Sequence, residues 1–196
     1  MRTNAIVLIA LILSLESSAQ VPQVMDGKYI WDAKEYSKDV ALFNSKQFLF
    51  TNVLGTSTDI VQFEVIPLAA ASSGELTTLL YNCNSKKKEG LVLGFYGTYR
   101  EDNGRISQGH AFKNLEKEKA IAFLTKIQKA MEENKKYLKD DADNSNIYFS
   151  FDDIDVLVCN GDDNRYLIRL FWNGFDSSWE QTAFQRSKKR FERNLK

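Results

Sequence analysis

Residues 91–112, LVLGFYGTYREDNGRISQGHAF, are the segment that decides the fold prediction. Two strand-like runs, 91–99 and 105–112, flank the polar stretch Glu101-Asp102-Asn103-Gly104. Asparagine and glycine both tolerate positive φ, and an Asn-Gly pair between two strand-like runs is typical of a tight antiparallel hairpin. The segment therefore predicts two antiparallel strands joined by a short turn.

Upstream of this hairpin the sequence predicts more antiparallel sheet. Val61, Phe63 and Val65 alternate with polar residues, which is the period of a half-buried strand, and residues 75–83 form another strand-like run. Residues 59–112 are thus predicted to form a meander. Residues 29–50 leave the alternatives open, because Asp32 could cap a short helix over 33–36 while residues 47–50 look more like a strand.

Downstream, a helix is predicted from Asn114, which is suited to be its N-cap, to about Lys139. Apolar residues recur there at steps of three and four and form one stripe, a pattern that indicates an amphipathic helix packed on a core. The stripe consists of Ala120, Phe123, Leu124, Ile127, Ala130 and Met131.

The last third of the chain predicts three strands and a helix. The strand-like runs are 147–151, 155–159 and 166–172, and Ser177-Ser178-Trp179-Glu180 has the S-x-x-E spacing of a capping box, which predicts a helix from there to the carboxyl end. Strands joined by hairpins favour an α+β fold. We therefore predict a single domain over residues 20–196, with antiparallel β-meanders packed against two amphipathic helices.

The amino terminus predicts export. Arg2 precedes the unbroken apolar run 5–13, and small residues at Ser17 and Ala19 stand before Gln20, which is the layout of a signal peptide over residues 1–19. The apolar run is about half of the roughly 20 residues that span a bilayer. The mature chain is therefore expected to be periplasmic or extracellular and to carry no transmembrane span.

Composition and motifs restrict the functional classes. Lys plus Arg and Asp plus Glu are 26 each, so the formal net charge is zero and no nucleic-acid partner is expected. His110 is the single histidine, so an H-E-x-x-H metal site is excluded. We interpret His110 as a packed or solvated residue. No nucleophile-elbow or P-loop motif occurs either. The favoured function is a non-enzymatic binding or interaction module without a cofactor.

An alternative is a carboxylate-dependent hydrolase that acts on glycans of the cell envelope. Asp152, Asp153 and Asp155 lie close together beside predicted strands. Two carboxyl groups at the right separation can act as acid and as base or nucleophile in glycoside hydrolysis. The competing interpretation, which the sequence favours, is that these residues occupy a turn and a solvent-facing strand position.

A calcium loop is a second hypothesis. Asp141, Asp143, Ser145 and Asp152 fall at positions one, three, five and twelve of a calcium-loop spacing, which places oxygen ligands where Ca²⁺ needs them. Asn146 stands where such loops have glycine, and the final ligand is an aspartate. A solvated polar loop is the favoured interpretation, with Ca²⁺ as the alternative cofactor.

The carboxyl-terminal helix supplies a third hypothesis, an accessory role in docking on anionic surfaces. It carries five cations, Arg186, Lys188, Lys189, Arg190 and Arg193. A basic amphipathic helix can bind an envelope protein, an anionic glycan or a lipid surface. Cations are also favourable at any helix carboxyl end, so a purely structural role is the other interpretation.

Two cysteines, Cys83 and Cys159, complete the set of candidate sites. In an exported protein they are able to form a disulfide. Two free thiols on strands are the alternative, and the sequence favours neither.

Overall fold

The computed structural model describes residues 23–24, 39–140, 144–161 and 165–195. The predicted signal peptide lies outside these ranges, as does the first part of the ambiguous stretch 29–50. Within the described ranges, no helix is both long enough and apolar enough to cross a membrane.

Strands and helices alternate in groups along the described chain. In order they are β1 (Gln23–Val24), α1 (Asp39–Phe48), a π-helix (Leu49–Val53), β2 (Glu64–Ala70), β3 (Leu76–Cys83), a 3₁₀ turn (Asn84–Lys86), β4 (Lys88–Arg100), β5 (Ile106–Glu116), α2 (Lys117–Glu133), α3 (Lys135–Asp140), β6 (Asn146–Phe151), β7 (Ile154–Asn160), β8 (Tyr166–Trp172), β9 (Phe175–Glu180) and α4 (Gln181–Asn194).

All the described strands belong to one antiparallel sheet. Its order is β1-β5-β4-β9-β8-β7-β6, and β3 pairs with β4 on one side and with β2 on the other. The fold is therefore α+β with antiparallel sheet, and the predicted fold class is confirmed.

The hairpin predicted from residues 91–112 is the longest pairing in this sheet. β4 and β5 are in register from Gly90↔Glu116 to Arg100↔Ile106. Gly104 closes the turn with a φ of +84°, and its N–H donates to the Glu101 carbonyl at 2.8 Å. The glycine therefore supplies the positive φ that the Asn-Gly signal predicts.

The hairpin also joins the two halves of the sheet. On one side of β4, its first part pairs with β3 as far as Phe95. Beyond Phe95, the same side of β4 pairs with β9 at Tyr99↔Phe175. Next to that pair the Arg100 N–H donates to the Gly174 carbonyl at 2.9 Å. The joint between the meander β2–β5 and the meander β6–β9 is thus narrow.

Two apolar clusters cover the two faces of the first meander, which is why β3 is buried along its whole length. Leu76 and Leu80 face the larger cluster, where α2, α4 and the inner face of β7–β9 pack. Leu79 and Tyr81 face the smaller cluster, which is formed with α1 and the π-helix. The predicted apolar stripe of α2 is confirmed, because all six of its residues are buried.

In the first half of the chain the structure decides the alternative left open for residues 47–50 and corrects the start of one strand. Residues 47–50 are helical rather than extended, because Phe48, Leu49 and Val53 turn one helical face toward the smaller cluster. The alternation at Val61 and Phe63 precedes the strand, which begins at Glu64.

Both predicted helix starts are also wrong. Asn114 does not cap α2, because it lies within β5, opposite Val92, and the helix begins at Lys117. The apparent capping box 177–180 lies within β9, where Ser177 and Trp179 are buried, and Glu180 accepts the Ser72 N–H at 3.0 Å rather than closing a box. Alternating burial in a strand outweighs the local S-x-x-E signal.

Candidate functional site

Asp153 is held as an ion by two donors from the sheet. Lys113 Nζ lies 2.5 Å from Oδ1, and Trp172 Nε1 donates to Oδ2 at 2.9 Å. Burial alone would raise the pKa of this carboxyl, but the hydrogen bonds from Lys113 and Trp172 outweigh it, and the pKa lies below its ordinary value. A general acid for glycoside hydrolysis requires the opposite shift.

The other two predicted carboxylates also have local partners. Asp152 occupies the β6–β7 turn with a φ of +50°, and its Oδ2 lies 2.8 Å from Lys119 Nζ. Asp155 Oδ1 accepts hydrogen bonds from Tyr148 Oη at 3.0 Å and from Ser150 Oγ at 2.6 Å. The three carboxylates thus belong to three separate contacts, and the hydrolase hypothesis stays a prediction.

The calcium-loop hypothesis falls partly outside the described residues, because Asp141 and Asp143 lie there. Ser145 is buried, and the Asp152 carboxylate is ion-paired with Lys119. In the described part of the chain, no group of three or more His, Cys, Asp or Glu side chains is arranged to hold a metal ion.

Both cysteines are free thiols in the structure, so the suggested Cys83–Cys159 bridge is not formed there. Cys83 ends β3 and is buried, whereas Cys159 lies in β7, and the order of pairing places β4, β9 and β8 between these two strands. Burial raises the pKa of the Cys159 thiol, against the opposing charge of Arg169.

His110 is packed in β5, as one interpretation of the sequence proposed. Its ring stacks near Tyr96, with centroids 6.2 Å apart, and meets Phe112 edge-on at 5.7 Å. The residue is 6% exposed, and burial lowers its pKa. The neutral imidazole is therefore the form that the fold accommodates.

This burial predicts a loss of stability in mild acid. Because the folded pKa lies below the unfolded value of about 6.5, the unfolded chain binds the proton more readily, and stability falls as the pH drops from about 6.5 through the folded pKa. Urea unfolding of the wild type should give a lower free energy at pH 5 than at pH 7.5. His110→Gln should remove most of this difference, and an equal pH dependence in both proteins would contradict the assignment.

The structure separates the five cations of the predicted basic helix. Arg190 Nη1 donates to the Leu68 carbonyl, and Lys188 pairs with Glu192 one turn later. Arg186, Lys189 and Arg193 remain exposed. α4 therefore uses part of its charge within the fold and presents the rest to solvent.

A groove lies beside α4, where this helix faces α2 and α3. Its volume is about 460 Å³. Polar and charged side chains line most of it, and a few apolar ones close its base. The lining residues are Gln128, Met131, Glu132, Lys135, Tyr166, Gln181, Phe184, Gln185, Lys188, Lys189 and Glu192.

The base of the groove is buried and includes an unsatisfied hydroxyl. Met131, Tyr166 and Phe184 are all buried in the larger core cluster. The Tyr166 N–H donates to Gln181 Oε1 at 3.0 Å, which fixes the start of α4 against β8. The Tyr166 hydroxyl is buried with no hydrogen-bond partner among the described residues. A buried polar group left without a partner costs about 1–3 kcal/mol, so this hydroxyl lowers the stability of the fold.

The walls offer amides and ammonium groups rather than a catalytic set. Gln128 Nε2 donates to Glu132 Oε1 at 2.6 Å and forms one wall, and Gln185 and Lys189, both exposed, belong to the opposite wall. An amide offers a donor and an acceptor side by side, which matches a pair of neighbouring hydroxyls. The arrangement is suited to binding a polar molecule.

Sequence reasoning identified Lys188 and Lys189 but missed the glutamines and Tyr166. The available signal was spacing: Gln181, Gln185, Lys188 and Glu192 recur at steps of three and four, as do Gln128, Glu132 and Lys135. Such steps place the side chains on one face of each helix. Which two faces meet depends on packing that neither stripe reveals alone.

Comparisons of the chain with models of known protein families, with curated proteins and with solved structures find no match. The groove is therefore interpreted from its own geometry.

Proposed function

We propose that this protein is an exported, non-enzymatic binding protein that holds an anionic glycan in the groove between α2 and α4. The observation that carries the proposal is a groove of about 460 Å³ whose exposed lining combines the amide of Gln185 with the ammonium groups of Lys135 and Lys189.

The charges of the lining favour an anionic ligand. Three lysines face two glutamates around the groove, and one lysine, Lys188, is already paired with Glu192. Lys135 and Lys189 are exposed at its rim, and Arg186 and Arg193 are exposed nearby on the same helix. These cations are what the sequence prediction of an anionic envelope partner requires.

The glycan part of the proposal depends on the amides. Gln185 is exposed and hydrogen-bonds no other described residue, so its amide is available to vicinal hydroxyls. A purely electrostatic surface would need no such groups.

Calorimetric titration with three probes tests the proposal. Trigalacturonate carries hydroxyls and carboxylates, maltotriose carries hydroxyls alone, and a short polyglutamate carries charge alone. We expect trigalacturonate to bind most tightly. Lys189→Gln and Gln185→Ala should each weaken it by roughly fivefold, which corresponds to the loss of about 1 kcal/mol from one exposed charged or polar contact.

Lys139→Gln is the matched control, because Lys139 is exposed on α3 and does not line the groove. It should bind trigalacturonate like the wild type. Polyglutamate binding as tight as trigalacturonate binding would show a charge-only surface and overturn the glycan assignment. Absence of binding to all three probes would overturn the whole proposal.

Export is tested independently of the ligand. Mature protein recovered from the medium or the periplasm should begin at Gln20. Recovery of protein that still begins at Met1 from the cytosol would contradict the localisation.

A further inference from the structure

A second cleft lies at the turn between β3 and β4. Its volume is about 580 Å³. One wall is formed by the 3₁₀ turn and the start of β4, and the other by the corner where β5 runs into α2. The cleft shares no lining residue with the groove between α2 and α4.

Tyr81 is a fixed part of this cleft. It is 1% exposed, and its ring lies across Gly90, the residue paired with it on β4. A Cβ at Gly90 would come within 2.9 Å of the Tyr81 ring and hydroxyl, so the close approach needs a glycine there. Burial raises the pKa of Tyr81 to about 12, against the opposing hydrogen bond with Asn114. The hydroxyl therefore stays protonated and can donate.

Part of the charge around the cleft is used within the fold. Lys117 Nζ lies 2.6 Å from Glu89 Oε2 and ties α2 to β4. Lys88 Nζ donates to the Val53 carbonyl at the end of the π-helix. These two lysines and Glu89 hold the two walls and the back of the cleft together.

The remaining charges are segregated by wall. Lys86 and Lys87 lie on the β3–β4 turn, and Lys87 adopts a left-handed φ of +52°. Glu116 and Glu118 lie at the β5–α2 corner. Among the residues that the structure describes, none of these four has an ion-pair partner. The cleft thus presents two cations on one side and two carboxylates on the other.

We infer that this cleft binds a small zwitterion of the amino-acid or short-peptide class, with its carboxylate at Lys86 and Lys87 and its ammonium group at Glu116 and Glu118. A purely anionic ligand would meet the two glutamates, and a purely cationic ligand would meet the two lysines. A ligand with both charges would form ion pairs with both walls, and the cleft volume of about 580 Å³ can hold a tripeptide.

The experiment uses three probes that differ only in their termini: triglycine, N-acetyl-triglycine and triglycine amide. Binding is followed by amide chemical-shift changes in residues 82–90 and 114–118 of the full chain. Triglycine should bind most tightly, and each blocked derivative should bind at least fivefold more weakly. The double variants Lys86→Gln/Lys87→Gln and Glu116→Gln/Glu118→Gln should each weaken triglycine by roughly tenfold, since exposed ion pairs contribute up to about 1 kcal/mol each.

Lys139→Gln, at an exposed residue of α3 that lines neither the cleft nor the groove, is the control and should leave triglycine binding unchanged. Equal binding of triglycine and N-acetyl-triglycine, with no effect of the glutamate substitutions, would show an anion site and overturn the inference. Absence of shifts with all three probes would also overturn it. Either result leaves the glycan titration of the α4 groove unaffected, so the two proposals fail separately.

Discussion

Gly174→Ala is expected to lower the free energy of unfolding by about 3 kcal/mol, because it combines a disfavoured backbone conformation with a steric clash at the joint of the sheet. Gly174 has a φ of +79°, and a Cβ there would collide with the carbonyl oxygen of Arg100. That oxygen belongs to backbone and cannot swing aside as a flexible side chain would. The Arg100 N–H also donates to the Gly174 carbonyl, so relief of the clash would strain the link between the two meanders.

Gly104→Ala is the matched control for this substitution. Gly104 has a similar φ of +84°, but a Cβ there meets no atom within 4 Å. Its cost should be the backbone term alone, about 1–2 kcal/mol. Comparing the urea unfolding of both variants separates the backbone cost from the cost of the steric clash. Equal losses in the two proteins would show that the approach to Arg100 does not matter and that the joint tolerates displacement.

The same turn shows why the sequence prediction missed a strand. Asn173 and Gly174, both at positive φ, form a two-residue connection between Trp172 and Phe175. This is the Asn-Gly hairpin signal that correctly predicted the turn at Asn103-Gly104. The S-x-x-E spacing of residues 177–180 suggested a helix instead, and two local signals competed. Only the core decides between them, because Ser177 and Trp179 become buried when β9 pairs with β8.

Elements with long, repeated patterns were predictable, and junctions were not. The six-residue stripe of α2 and the register of β4 with β5 follow from periodicity over many residues. The start of α2 does not, because Asn114 is an excellent cap in isolation but lies in a strand that continues to Glu116. Residues 47–50 include two phenylalanines and are suited to a strand, yet they form a helix whose Phe48 and Leu49 pack in the smaller cluster. Tertiary contacts override local preference at such points.

The candidate sites were harder to predict than the elements, for a physical reason. Asp152, Asp153 and Asp155 are close in sequence, but the turn sends each toward a different donor, Lys119, Lys113 and Tyr148 respectively. Conversely, Gln128 and Gln185 are far apart in sequence and line one groove. Proximity along the chain identifies a cluster only when backbone geometry points the side chains together. The groove beside α4 and the cleft at the β3–β4 turn depend on how helices and strands pack, and the spacing of residues in the sequence does not predict them.

Trp179→Ala is expected to have the largest effect of a core substitution, a loss of about 3–5 kcal/mol. Trp179 is fully buried on β9, lies opposite Ile168 in the register with β8, and meets Phe184 of α4 edge-on with centroids 5.1 Å apart. Its removal would leave a cavity between the sheet and α4 that neither element can fill without breaking its own hydrogen bonds.

Trp179→Phe should cost much less, about 1 kcal/mol. The Trp179 indole N–H is buried with no partner among the described residues. The smaller ring removes that unsatisfied donor and retains most of the packing. Phe43→Ala, at a side chain that is 69% exposed, should change stability by less than about 0.5 kcal/mol. Unfolding curves for the three variants should therefore give the largest loss of stability for Trp179→Ala, a smaller loss for Trp179→Phe and the smallest for Phe43→Ala.

Because α4 also forms one wall of the proposed glycan groove, Trp179→Ala should weaken trigalacturonate binding as well. Full retention of stability in Trp179→Ala would contradict the expectation that the contact between Trp179 and Phe184 holds α4 against the sheet.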